Sequence, residues 1–326
     1  MRNAIVALAV LALGAAQAPA QGWAEKMFKD GLTHDFGSVP RGAQLLHRFT
    51  ITNIYAVRME ITGVTSGCGC VTATPAKKVL EPRESTTIEV VMDAKRFSGS
   101  KSVNIRVTVG PEYVSSAELK VTANSRADVV FNPGQVAFGS VTRGQAPTQT
   151  IDVEYAGAFK WEVNDIVVGK DLPFQATAKE WYRRAGQVGY KVQVTLKPDV
   201  PVGPLKEYFY LKTNDPTSPT VPVLVEAVVQ AAVTVTPSAL NLGSVKAGEA
   251  LTRRVVVKGA KPFKVLGVDG AGDGITMVPS GDAAAVQTVT FKCQFTQAGE
   301  FKRELKIKTD LQDAPVSVML EGTVTP

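Results

Sequence analysis

One short motif recurs along this chain at nearly constant spacing, and that repeat constrains the fold more than any other feature. Phe-Gly-Ser-Val-Pro-Arg-Gly stands at residues 36–42, Phe-Gly-Ser-Val-Thr-Arg-Gly at 138–144 and Leu-Gly-Ser-Val-Lys-Ala-Gly at 242–248. The shared core is Gly-Ser-Val-x-x-Gly, and its first glycines, Gly37, Gly139 and Gly243, lie 102 and 104 residues apart. Pro133 and Pro237 stand six positions ahead of that glycine in the later copies, with Gly31 in the first. The ends of copies two and three also agree: Lys-Thr-Asn-Asp-Pro and Val-Pro-Val-Leu-Val-Glu-Ala within 212–227, against Lys-Thr-Asp and Val-Ser-Val-Met-Leu-Glu-Gly within 308–322. Agreement at both ends of a unit marks tandem modules. The division follows as a leader at 1–20 and modules at 21–126, 127–230 and 231–326, joined by short linkers around Ser125-Arg126 and Gln230-Ala231.

Each module reads as strands. In the first, residues 45–52, 57–64, 86–92, 103–109 and 117–123 alternate apolar and polar side chains and are rich in Val, Ile and Thr. Turn-forming Gly, Pro, Asn and Asp separate them, and no sustained 3.6-residue period appears. About seven short strands per module, each with one buried face, predict an all-β fold of three tandem immunoglobulin-like sandwiches. The repeated motif then has a structural task. Val39, Val141 and Val245 plug one end of each core, while Gly42, Gly144 and Gly248 permit the turn into the next strand. Phosphate cradling by these glycines is excluded, because no helix follows to supply an anion site.

The first twenty residues read as a secretory leader. Arg2 precedes an apolar run from Ile5 to Ala16, and Ala18-Pro19-Ala20 offers a small-residue cleavage site. The run is too short to span about 30 Å of hydrocarbon, and Gln21 is no lipidation site. We expect an exported protein, periplasmic or extracellular, with no membrane span in the mature chain. Lys plus Arg exceeds Asp plus Glu by 36 to 30, but the excess is dispersed. Nucleic-acid binding needs a concentrated basic stripe, so nucleic acid is excluded as a partner. Three cysteines in a chain of 326 residues do not form a disulfide framework.

A family resemblance emerges in module one. His34-Asp35-Phe36-Gly37-Ser38-Val39 is followed by His47-Arg48-Phe49-Thr50-Ile51-Thr52-Asn53, then by Ile61-Thr62-Gly63-Val64-Thr65-Ser66-Gly67-Cys68-Gly69-Cys70-Val71-Thr72, and then by Leu80-Glu81-Pro82-Arg83-Glu84 and the strand beyond it. Residues 30–125 thereby resemble the bacterial uncharacterised-domain family numbered 1573 (DUF1573), similar to the Hydin- and ASH-type immunoglobulin domains. Modules two and three share only the weaker features of that wider superfamily. One turn departs from the family pattern, with Pro82-Arg83-Glu84 where Pro-Gly-Glu is expected. The family has no assigned activity, so the resemblance implies fold and export and no chemistry.

The chemistry-bearing lead is Cys68-Gly69-Cys70. The strand before it returns toward the end of the sandwich where His47 starts its own strand. His47 shares parity with Phe49 and Ile51 and should point inward near the rim, with His34 close by. Cys68, Cys70 and His47, with His34, would make a thiolate–imidazole set suited to Cu(I) or Zn(II). A second reading is thiol–disulfide exchange, since a bridge across one residue closes a small ring of the labile kind. Its weakness is the missing cation, because the nearest basic residues in sequence are Lys77 and Lys78. A third reading makes the cysteines small residues of a tight turn, reduced or bridged to each other. Cys293 alternates with Val289, Phe291 and Phe295 and reads as a buried core thiol.

Other constellations are thinner. Two histidines and no nucleophile elbow exclude a Ser/His/Asp triad. Asp269 and Asp273 lie in a Gly-rich loop lacking the EF-hand pattern. Trp161 reads as core. Trp181, Tyr182, Arg183 and Arg184 sit in a hairpin whose exposed aromatics and cations suit partner contact. The expectation is an exported, non-enzymatic binding or scaffolding protein, its partner a protein or a component of the cell envelope. The alternative is a metal-handling or thiol-redox protein centred on Cys68, Cys70 and His47. No cofactor is named by the sequence.

Overall fold

The structure, a computed structural model, describes residues 22–278, 281–312 and 314–326. The leader expected at 1–20 lies outside the described residues. A 3-10 turn, Gly22–Met27, opens the described chain and buries Ala24 and Met27 against module one.

Module one comprises β1 (Thr33–Arg41), β2 (Gln44–Thr52), β3 (Met59–Ser66), β4 (Val71–Pro75), β5 (Val79–Leu80), β6 (Ser85–Asp93), β7 (Gly99–Gly110) and β8 (Ser115–Asn132). Their alternation places Leu45, Phe49, Ile51, Ile88, Val90, Met92, Ile105, Val107 and Leu119 inside. One layer runs β1-β8-β7-β3-β5 and the facing layer is the three-stranded sheet β2-β6-β4. Module two adds β9 (Val136–Thr142), β10 (Thr148–Ala156), β11 (Val163–Val167), β12 (Phe174–Arg184), β13 (Gln187–Leu196), β14 (Gly203–Thr213) and β15 (Thr220–Gln230). Its layers are β8-β10-β13-β12 and β11-β14-β15-β9. Module three packs two four-stranded sheets between Val233 and Thr325. The all-β, immunoglobulin-like fold class therefore stands.

The repeated motif is a β-bulge. In each module the motif strand pairs in parallel with the module's last strand, and the register slips at the motif: between Asp35 and Ser38, between Ala137 and Ser140, and between Asn241 and Ser244. Gly37, Gly139 and Gly243 take φ of 68°, 65° and 67°, where a Cβ is strained. Val39, Val141 and Val245 are buried just beyond, and Gly42, Gly144 and Gly248 also have positive φ. The departure at Pro82-Arg83-Glu84 changes the residue and keeps the geometry, since Arg83 itself adopts φ 69°.

The linker expected around Ser125-Arg126 is replaced by continuous strand. β8 runs unbroken through both residues and belongs to both modules, so a single eight-stranded sheet crosses the junction. One apolar core accordingly spans modules one and two, while module three has its own. Side chains close the junction. Leu46 N–H donates to the Tyr208 hydroxyl, which covers the edge of β2 that would otherwise present bare backbone. Arg48 donates to Lys206 O at 3.1 Å, and Lys206 Nζ lies 2.6 Å from Glu89.

Candidate functional site

Residues 67–70 carry the chain from one layer of module one to the other, joining β3 to β4. Backbone groups pin this crossing. Gly67 N donates to Asn104 O, Val71 N to Cys68 O, and Asp93 N to Cys70 O. Ser66 Oγ donates to Val71 O at 2.8 Å. Cys68 and Cys70 are joined by a disulfide, with Cα atoms 5.2 Å apart. Cys70 is buried, whereas Cys68 is partly exposed. The amide N–H of Cys70 points at Cys68 Sγ, 3.1 Å away.

Loop-closure entropy says what such a bond can contribute. A bridge around a single residue removes about 1.6 kcal/mol of unfolded-state freedom, against about 3 kcal/mol for a 15-residue loop. Modules two and three keep the same fold with no counterpart. The bond is thus a minor staple. Sequence spacing missed one neighbour: Arg96 arrives from the turn after β6, donates to Gly69 O at 2.8 Å and is held by Asp93 at 3.3 Å. A cation therefore stands over the disulfide turn, where only the distant Lys77 and Lys78 were expected.

The metal set does not assemble. His34 and His47 do meet, their rings stacked with centroids 3.7 Å apart between Phe36 and Phe49. They close the side of the sandwich where β1 and β2 are the edge strands. The disulfide turn joins β3 and β4 on the other side, and β6 stands between β2 and β4. Sharing one end of a sandwich does not mean sharing one lateral side. Among the described residues no group of three or more His, Cys, Asp or Glu side chains is placed to hold a metal ion.

The histidine pair makes stability depend on pH. Burial, with the like charge of His34, holds His47 down at about 4, and burial also lowers His34 against the opposing pull of Asp35. A histidine depressed in the folded state binds fewer protons there than when unfolded. Stability is therefore complete above about pH 6.5 and falls as pH drops from 6.5 toward 4. The rings are partly exposed, so the loss should be roughly 1–2 kcal/mol rather than the full value of the shift. His47→Phe, which retains the packing on Phe49, should flatten the urea midpoint across that window. An unchanged acid slope in the variant would disprove the assignment.

Module two carries the exposed aromatic face. The register of β12 against β13 slips between Glu180 and Tyr182, leaving Trp181 as the extra residue of a bulge. Consecutive strand residues normally face opposite sides, but here both rings lie over Gly189. A Cβ on Gly189 would meet Tyr182 Cε1 at 2.2 Å and Trp181 Nε1 at 2.6 Å, so only glycine seats the pair. Trp181 is 51% exposed and packs edge-on against Tyr182, centroids 4.6 Å apart. Lys191 lies 5.0 Å over the Trp181 ring and Arg184 4.9 Å over Tyr182. Arg183 is not part of this face. Its guanidinium pairs with Glu180 at 2.5 Å and donates to Trp161 O at 3.2 Å and Tyr190 Oη at 3.2 Å. Lys191, unremarked in the sequence, takes its place.

The remaining residues have structural partners. Trp161 is buried and stacks on Tyr155, as a core residue should. Cys293 is a free, buried thiol pushed up by burial. Asp269 pairs with Lys308 at 2.7 Å and Asp273 with Arg303 at 2.9 Å, so the carboxylates of that loop answer to side-chain cations. No helix among the described residues is long and apolar enough to cross a membrane.

Comparison with known proteins places module one in a family. Residues 28–125 match the family model described as "Protein of unknown function (DUF1573)", and the match stops short of modules two and three. No curated protein matches the chain. Among solved structures, the VesB protease of Vibrio cholerae is 17% identical with a TM-score of 0.26, over 28% of this chain and 30% of that one. The chain thus spans less than a third of the VesB chain. A protein of unknown function from Porphyromonas gingivalis W83 is 10% identical with a TM-score of 0.24, covering 60% of this chain and all of that one. An I-band fragment of titin is 8% identical with a TM-score of 0.23, covering 92% and 98%. Likenesses of this strength carry no argument about function.

Proposed function

For a chain whose first module matches a family of unknown function, we propose an exported, non-enzymatic scaffold that binds a protein or cell-envelope component through module two. The observation that carries this reading is the β12 bulge over Gly189. It turns two neighbouring aromatic side chains to one face and flanks them with Lys191 and Arg184. Exposed aromatic rings beside cations are the residue types that dominate binding energy at protein surfaces. The rings are pre-seated on a rigid sheet, so little side-chain freedom is lost when they engage a partner. The shared strand β8 fixes this face relative to module one, which suits a protein that holds partners at set positions.

The test is a binding measurement with a built-in reporter. Trp181 is exposed, so its fluorescence should change when envelope material of the producing cell, fractionated into soluble protein, wall polymer and lipid, is titrated in. One fraction should bind saturably. Trp181→Ala with Tyr182→Ala removes the reporter, so both proteins are also compared by co-sedimentation with the binding fraction. The double variant should bind about 30-fold more weakly, the scale of a 2 kcal/mol hot spot, while circular dichroism stays unchanged. Equal binding by the double variant would refute the assignment of this face.

A further inference from the structure

The module-one disulfide has the arrangement of an exchangeable bond, and we propose that Cys68–Cys70 is a thiol–disulfide exchange site for the dithiol of a partner protein. Three observations carry it. The bond encloses one residue at the crossing between two layers that are already held by backbone hydrogen bonds, so opening it leaves the fold in place. Its two sulfurs are unequal, with Cys68 partly exposed and Cys70 buried. A thiolate at the exposed sulfur would have a donor at hand, since the Cys70 N–H lies 3.1 Å from Cys68 Sγ, and the same turn carries the Arg96 cation, which donates to Gly69 O.

The exchange runs in two displacements. A thiolate of the partner attacks Cys68 Sγ, the accessible atom. The Cys68–Cys70 bond breaks, a mixed disulfide forms with Cys68, and Cys70 leaves and takes up a proton. The partner's second thiolate then attacks its own sulfur in the mixed disulfide and releases Cys68 as a thiolate beside the Cys70 N–H. The partner dithiol is oxidised to a disulfide, and the chain is reduced by two electrons. One of the two protons lost by the dithiol resides on Cys70 and the other passes to solvent. Arg96 touches neither sulfur in this scheme. It is a positioning residue whose charge favours the Cys68 thiolate.

The experiment uses the full chain with dithiothreitol as the dithiol. The protein is alkylated after reduction, and peptide mapping separates Cys68 and Cys70 from the buried Cys293. Cys68–Cys70 should open within minutes at neutral pH, with circular dichroism unchanged, and close again when the reductant is exchanged for oxidised glutathione, which takes up the two electrons. A bond that resists dithiothreitol until the protein unfolds would overturn the proposal. In Cys70→Ser, alkylation of Cys68 should show a pH midpoint at least about one unit below the value near 8.5 of a free thiol. Arg96→Gln should raise that midpoint and Arg96→Lys should restore most of it. A midpoint of ordinary value, unmoved by Arg96→Gln, would equally overturn it.

Discussion

Arg126→Met is expected to destabilise the joined first two modules by about 3–5 kcal/mol, the range for stranding a buried charge. Arg126 sits in the middle of β8, where a flexible linker would have left it solvated, and its side chain is only 12% exposed. The guanidinium grips Asp128 with two hydrogen bonds, at 2.6 and 2.9 Å, and also pairs with Asp215. Asp215 comes from the turn after β14, is nearly fully buried, and is seated by Thr217 N and Oγ1 at 2.9 and 2.7 Å. Burial would raise the Asp215 carboxyl, but Thr217 and Arg126 outweigh it and hold the group below its usual range. With methionine at 126 the carboxylate keeps its desolvation cost and loses its counter-charge. Arg126→Met with Asp215→Asn should recover a large part of the loss. Urea unfolding of both variants checks this, and a single-variant loss under 1 kcal/mol would contradict the packing described.

Gly134→Ala should cost about 3 kcal/mol, through a clash between two backbone segments. Gly134 lies where the first residues of module two fold against the β1–β2 turn. A Cβ there would stand 1.8 Å from Gly42 O and 2.8 Å from Gly42 C, both backbone atoms. Separations under 3.0 Å do not occur for real Cβ atoms, so the two segments must part by more than an ångström. That movement also stretches the hydrogen bond from Gln44 N to Gly134 O, now 3.2 Å. Overpacking and the lost bond together give the estimate. Gly267→Ala is the matched control, since nothing lies within 4 Å of its added Cβ. Its effect should stay within about 0.5 kcal/mol.

Local pattern made most of the fold legible. The Gly-Ser-Val repeat located the modules, and the alternation in residues 45–52 and 86–92 located neighbouring strands of one sheet, because burial of one face imposes a period of two. What pattern does not encode is which lateral side of a sandwich a strand occupies. Placing His47 beside Cys70 was an inference about ends, and β6 lies between their strands. The same limit hid Arg96 and Lys191, each brought to its site by strand pairing rather than by proximity in sequence. The linker reading failed for a different reason. Ser125-Arg126 looks polar, yet Ser125 is buried with its hydroxyl donating to Ala94 O at 3.0 Å. A polar pair inside a strand can be satisfied by a junction the sequence does not display. The Thr-Asn-Asp segment was recognised only as a repeat marker. In the structure Asn214 accepts Glu162 N at 2.8 Å and its module-three counterpart Asp310 accepts Lys264 N at 2.7 Å, a shared hairpin tie.

A scaffold of this kind functions by fixing distances, which requires modules one and two to move as one body. Pulsed dipolar spectroscopy between nitroxides at Glu112→Cys and Ala185→Cys, exposed turns in modules one and two, measures that distance directly. One narrow distribution is expected, which Arg126→Met or Gly134→Ala would broaden. A broad or two-peaked distribution in the otherwise unaltered chain would contradict it.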